Sequence, residues 1–183
     1  QGTVDAPPTE TAAQHDSECY LCPGNARAGG VRNPSYASTF VFDNDFPALG
    51  GWEVRLKPEA PPDEGPERSS TGRPPLGGPD LLAAEPERGV CRVVCFSPRH
   101  DLTLARMDAA AIRAVVDTWI DEQTALAAMP NLAYATIFEN RGAMMGASNP
   151  HPHGQIWATE HVPNDSSREM AALADYQARR GSC

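Results

Sequence analysis

The chain has 183 residues, 40% hydrophobic and 21% charged, with a formal net charge of −9 and a pI near 4.9. That length favours a single domain with one sizeable core, and the acidity argues against a nucleic-acid surface, which needs a basic patch. No apolar run approaches the roughly 20 residues that span a bilayer, and residues 1–14 carry no charged-then-apolar leader pattern, so the expectation is a cytoplasmic protein without a membrane partner.

Residues 1–17 read as a flexible, polar lead-in. The chain opens on Gln1 rather than Met and stops abruptly after a helical stretch, so an excerpt of a longer protein is expected. Cys19-Tyr-Leu-Cys22-Pro-Gly-Asn25 is a knuckle, two thiols three apart running into turn residues. Thr39-Phe-Val-Phe42 has strand character and ends in the turn signal Asp43-Asn44-Asp45; a further short strand is expected over 52–56. Between about 57 and 89 the composition shifts, with eight of the 18 prolines, which predicts a long disordered surface loop. Only residues 79–84 could dock there, through Leu81 and Leu82.

Order resumes with a strand over 90–96 that contains Cys91 and Cys95. Four residues of extended chain separate these thiols by roughly 13 Å, too far for a disulfide, and they read as small core residues. Five cysteines without a leader point to thiols or metal ligands. Asp108 is a good N-cap for a helix whose Ile112, Val115, Val116, Trp119, Ile120 and Leu126 or Ala127 fall on one face, with Pro130 just past its end. A strand over 133–138 runs into a glycine-punctuated loop over 139–146, and a histidine-bearing strand follows to about Thr159. Ser166-Ser-Arg-Glu169 is a capping-box pattern opening a last helix through Arg180. Short strands with intervening helices and no repeats predict an α+β fold with a mostly antiparallel sheet.

The most informative stretch is Ser148-Asn-Pro-His151-Pro-His153-Gly-Gln155-Ile-Trp157. Pro150 and Pro152 fix φ and remove two donors, which argues against helix. In an extended backbone His151, His153 and Gln155 project to one side. A neutral imidazole is a competent nucleophile near neutral pH, and a glutamine can hydrogen-bond phosphoryl oxygens without titrating. That set suits transfer of a phosphoryl or nucleotidyl group through a covalent histidine intermediate. Paired surface or metal-binding histidines in a proline-rich turn are the plainer alternative.

Cys19-x-x-Cys22 has the same ambiguity. Pro23-Gly24 denies the helix that a thioredoxin-like motif needs, and half a metal site requires two more ligands. His15, His100, His151 and His161 are the available donors. A set of Cys19, Cys22, His100 and His151 would be closed and structural, tying distant segments together near His153, whereas His15 and His161 read as solvated.

Taken together, Cys-x-x-Cys-x-Gly-Asn, the segment Asn33-Pro-x-Tyr36-x-x-Thr39-Phe-Val-Phe42-x-Asn44-Asp45-Phe46-x-Ala48-Leu49, the strand Arg92-Val-x-Cys95-Phe-Ser-Pro-x-His100 and the run from Phe138 to Gln155 resemble the galactose-1-phosphate uridylyltransferase family of the histidine-triad superfamily. The resemblance covers most of residues 18–170. It implies a histidine-triad-like half-barrel over residues 18–183, the sheet flanked by helices, as an N-terminal nucleotidyltransferase half-domain whose C-terminal partner half is absent from this chain. It further implies that His153 takes uridylyl from UDP-glucose and passes it to galactose 1-phosphate by ping-pong chemistry in galactose metabolism. Gln155 and Ser148 would serve the phosphates, Asn140 would lie in the same anion pocket, and Phe42, Asn44, Asp45 and Phe46 would wall the uridine. Cys19, Cys22, His100 and His151 match the family's structural zinc ligands. Glu169 aligns with a carboxylate ligand of a second, iron-type metal whose other ligands would lie in the C-terminal half, although its capping-box position explains it without a metal. The resemblance also implies a homodimer for the full-length protein and little turnover for the half alone. Competing readings are a related enzyme acting on ADP-sugars or dinucleoside polyphosphates, and a zinc-stapled nucleotide-binding module without turnover.

Overall fold

Two apolar stretches rich in β-branched residues, one before residue 96 and one after the paired histidines, make the centre of a four-stranded sheet. A computed structural model describes residues 13–50, 87–147 and 149–181. The strands are β1 (Phe40–Asp43), β2 (Gly89–Cys95), β3 (Tyr134–Phe138) and β4 (His153–Thr159), with α1 (Ala109–Ala127) between β2 and β3 and α2 (Asn164–Arg180) after β4. The sheet order is β1-β2-β4-β3, and all three pairings are antiparallel. The expected α+β class and antiparallel sheet are therefore what the chain forms.

The two faces of the sheet have different jobs. On one, Val94, Ile156 and Ala158 pack with Phe96 against Val115 and Leu126 of α1. Trp119 meets Phe96 edge-to-face at 5.8 Å. Full burial of a side chain such as Leu126 contributes about 1.5–3 kcal/mol. Asp108 caps α1 as expected, its carboxylate accepting from the backbone N–H of Ala111 at 2.8 Å. Arg92 of β2 pairs with Glu122 of α1, which fixes the helix across the sheet. On the other face, Val93 and Cys95 lie under the knuckle residues Cys19, Leu21 and Cys22, with Tyr36, Phe40 and Phe42 packed beside them. Cys91 and Cys95 are buried free thiols, as their place in the strand predicts.

Four details differ from the sequence reading. The apolar face of α1 is narrower than expected: Val115 and Leu126 are buried and Trp119 packs against the core, whereas Ile112, Val116 and Ile120 are exposed. One helix on one face of a small sheet can bury a stripe only, and the neighbouring apolar row faces out. Helix α2 begins at Asn164, with Pro163 at the N-cap and no side-chain cap, so Ser166 is inside the first turn and the capping box does not form. The Ser166 hydroxyl instead donates to the Tyr134 oxygen at 3.1 Å. The lead-in also ends before residue 17, because the Gln14 carbonyl accepts from His100 N–H at 2.8 Å and the Asp16 carbonyl from Cys19 N–H at 3.2 Å. Finally, Gly89, the expected end of the proline-rich loop, already belongs to β2. The strand expected over 52–56 and nearly all of that loop lie outside the described residues. Among the described residues no helix is long and apolar enough to cross a membrane.

Gly154 shows how closely β4 approaches both the core and its neighbouring strand. A Cβ there would stand 2.7 Å from Phe96 Cζ and 2.9 Å from the Phe138 carbonyl oxygen. Gly154→Ala should therefore cost about 1–3 kcal/mol through overpacking, read as a lower thermal midpoint, with β4 displaced from β3 where the new methyl meets fixed backbone.

Candidate functional site

The knuckle is held in shape by amide side chains before any ligand is considered. Asn25 donates to the carbonyls of Asp16 (2.8 Å) and Cys19 (2.7 Å), and Asn33 donates to those of Tyr20 (2.9 Å) and Cys22 (3.0 Å). This presents both thiols toward the loop after β2 and the bend before β4. Cys19, Cys22, His100 and His151 are all buried, and their ligand atoms lie within 4.8 Å of one another. The structure thus assembles the four metal-ligand candidates from three separate segments into one group that could hold a metal ion.

The hydrogen bonds around this group fix which atoms are free to coordinate. His151 Nε2 faces the Ser97 carbonyl at 2.9 Å. A carbonyl only accepts, so Nε2 carries the proton and Nδ1 keeps its lone pair. That Nδ1 stands 3.5 Å from Cys22 Sγ, and His100 Nδ1 stands 3.6 Å from the same sulfur. Burial pulls the His151 imidazole down to about 4, leaving it neutral and ligand-competent at ordinary pH. Burial pushes the Cys22 thiol up to about 11, so without an ion it keeps its proton. Two residues that sequence reasoning passed over complete the surroundings. Tyr36 donates to the Leu21 carbonyl at 2.7 Å and lies 3.1 Å from His151 Nε2. Asn149 contacts Cys19 Sγ through Nδ2 at 3.4 Å and accepts from the His151 backbone N–H at 2.9 Å, joining two ligands.

His151 lies in a bend rather than in the strand, because β4 starts at His153. The pleat therefore puts His153 and Gln155 on one face, while the bend turns the His151 ring toward Cys22 and His100. His153 Nδ1 is 2.7 Å from the backbone carbonyl of His151. By the same reasoning Nδ1 carries the proton, and in the neutral ring Nε2 holds the free lone pair. In register, His153 faces Cys95, which faces Phe40; Gln155 faces Val93 and Phe138, and Val93 faces Phe42. Phe42 and Gln155 are thus two strand spacings apart, roughly 10 Å, on one platform.

At the end of β1, Asn44 accepts from the Phe46 backbone N–H at 3.0 Å, which turns the chain and leaves the Phe46 ring 78% exposed. Asp45 is paired with Arg27 at 3.1 Å, and the Arg27 guanidinium lies 3.8 Å over the Phe42 ring. Arg27 carries no sequence signal, since a lone arginine after a turn reads as surface. Asn140 and His153 line the same shallow cleft, with Glu139, Pro150 and Thr103. Ser148 lies outside the described residues. Glu169 is exposed on α2 and joins no group of metal-capable side chains among the described residues.

A model of the galactose-1-phosphate uridyl transferase N-terminal domain matches residues 1–163. The chain belongs to this family. The galactose-1-phosphate uridylyltransferase of Rattus norvegicus is 43% identical over 181 residues, which take in 99% of this chain and 42% of that protein. That of Cryptococcus neoformans var. neoformans is 40% identical over 183 residues, 98% of this chain and 44% of that protein. The chain therefore spans less than half the length of these curated relatives. A solved uridylyltransferase superposes with a TM-score of 0.68 at 25% identity, over 95% of this chain and 48% of its own. An ADP-glucose phosphorylase from Arabidopsis thaliana shares the fold, with a TM-score of 0.62 at 21% identity over 94% of this chain and 49% of its own. His153 and the cysteine knuckle lie on the same side of the sheet here, with Cys95 opposite His153.

Metal analysis of the purified chain should give roughly one ion per chain, and Cys19→Ser should lower the thermal midpoint. Because the Cys22 proton must be displaced, affinity should fall as the pH is lowered. Asn149→Ala and Tyr36→Phe should each weaken binding about 10- to 100-fold in a chelator competition; unchanged affinity would remove both residues from the site.

Proposed function

We propose that this chain is the nucleotide-binding half of a UDP-glucose–hexose-1-phosphate uridylyltransferase, with His153 as nucleophile. The observation that carries the proposal is the 2.7 Å hydrogen bond from His153 Nδ1–H to the His151 carbonyl, which leaves Nε2 as the basic atom on the open face. In the first step Nε2 bonds to the α-phosphorus of UDP-glucose, and the bond to the bridging oxygen breaks. Glucose 1-phosphate leaves with the electron pair. In the second step a phosphate oxygen of galactose 1-phosphate attacks the same phosphorus, the N–P bond breaks, and UDP-galactose is released. Splitting one displacement into two through a histidine adduct is nucleophilic catalysis. The carbonyl of His151 stabilises the positive charge that the ring acquires when Nε2 is bonded to phosphorus.

Gln155 supplies amide donors to the phosphoryl oxygens, and its place two residues from His153 on the same strand face supports this role. Ser148 and Asn140 add polar contacts to the phosphates. Phe42, Asn44, Asp45 and Phe46 wall the uridine, with the Asp45 carboxylate accepting from the ribose diol. The separation of Phe42 from Gln155 suits a base at one end and an α-phosphate at the other. Cys19, Cys22, His100 and His151 would hold zinc. A tetrahedral ion with Zn–S near 2.3 Å and Zn–N near 2.0–2.1 Å has a sulfur-to-nitrogen edge of about 3.6 Å, which fits the 3.5 and 3.6 Å between Cys22 Sγ and the two imidazoles. With four protein donors the site is closed, so zinc supplies structure. Bound there, the ion would steady His151, whose carbonyl sets the tautomer of His153.

Incubating the protein with uridine-labelled UDP-glucose, quenching and digesting it should place UMP on His153, with far less AMP captured from ADP-glucose. His153→Gly should abolish the adduct while retaining nucleotide binding. Labelling at another residue, or equal capture of AMP, would falsify the assignment.

A further inference from the structure

Trp157 lies two residues beyond Gln155 on the same face of β4, and no step described so far uses it. Its indole Nε1–H is 3.0 Å from Gln155 Oε1. The indole nitrogen can only donate, so the atom facing it must be the amide oxygen, and the NH2 group is turned away from the indole. Among the described residues that NH2 has no hydrogen-bond partner. The indole is itself held: it meets Phe138 edge-to-face at 5.3 Å and 84°, and Phe138 is the cross-strand neighbour of Gln155. Cys91 and Thr136 flank Trp157 in the register.

A carboxamide has two ends of nearly equal shape and opposite electrostatics. Presented nitrogen-first to a phosphoryl group it donates hydrogen bonds; presented oxygen-first it repels the anionic oxygens. Nothing in the glutamine itself chooses between them. Building on the uridylyl-transfer reading, we infer that Trp157 is a positioning residue that locks the Gln155 carboxamide with its NH2 toward the reacting phosphoryl group. The lock is one-way, since a donor-only partner tolerates one orientation of the amide. Trp157 thereby sets the polarity of the phosphoryl site without touching the substrate. Phe138 sets the tilt of the indole and so the direction of the lock.

Trp157→Phe keeps the ring against Phe138 and removes only the donor. In the zinc-loaded protein, nitrogen-15 NMR should show a slowly exchanging indole proton and a single Gln155 amide environment. In Trp157→Phe the amide should sample two environments. Uridylyl capture from UDP-glucose should slow about tenfold in Trp157→Phe, with the thermal midpoint unchanged. Gln155→Ala should lose at least as much, and Trp157→Phe should add no further loss in the Gln155→Ala background, because Trp157 acts only through the carboxamide. A fast-exchanging indole proton in the wild type, capture by Trp157→Phe at the wild-type rate, or losses that multiply in the double variant would each overturn the inference. Should the wild type capture no uridylyl at all, the transfer reading fails, and the NMR arm still decides whether Trp157 orients Gln155.

Discussion

The contact between His153 Nδ1 and the carbonyl of His151 joins the two halves of the site. One end of His151, its imidazole, belongs to the buried cysteine–histidine group; the other end, its carbonyl, sets the protonation of the neighbouring ring. The peptide unit in between is short and includes Pro152, whose φ is fixed. Any shift of the His151 side chain therefore reaches His153 over two residues of stiff backbone. The buried cysteine–histidine group and the imidazole in the cleft are thereby linked through one stretch of backbone. His151 and His153 are coupled covalently as well as by a hydrogen bond.

The sheet makes this coupling possible by dividing its faces. The face toward α1 carries the ordinary core, with Val94, Ile156 and Ala158 under the helix. The opposite face is a platform on which Phe42, Val93, Gln155 and Phe138 stand in one row and Phe40, Cys95 and His153 in the next. Small residues are required where both faces are busy. Gly154 separates His153 from Gln155 because the Phe96 ring and the Phe138 carbonyl leave no room for a Cβ, and Cys95 fits beneath the knuckle where a larger side chain would displace Tyr36 or Leu21. Burial pushes the Cys95 thiol up to about 12, which keeps it an inert filler opposite His153.

The platform is pre-ordered before any ligand arrives. The polar groups that line it are oriented by neighbours that can bond in one sense only: a carbonyl for each histidine and an indole for Gln155. Arg27 serves similarly at the other end, lying over Phe42 while paired with Asp45. Pre-set donors and acceptors lower the reorganisation needed when charge develops at a bound phosphoryl group.

The amino-acid sequence alone was enough for the four strands of the described sheet, the Asp108 cap and the buried free thiols of β2, and the family resemblance singled out the four metal-ligand candidates. The strands, the cap and the thiols follow from local rules: alternation, capping and side-chain reach. Tertiary structure was needed for everything that depends on who stands opposite whom. The outward turn of Ile112, Val116 and Ile120 reflects how little sheet there is to cover, which periodicity within one helix does not reveal. Helix α2 starts at Asn164 rather than at the capping-box serine, because Ser166 finds Tyr134 across the fold. The roles of Tyr36, Asn149, Arg27 and Trp157 arise from contacts between segments or from a choice among side-chain orientations. Local sequence constrains where the backbone goes; only the folded arrangement fixes which end of an imidazole or an amide faces the open cleft.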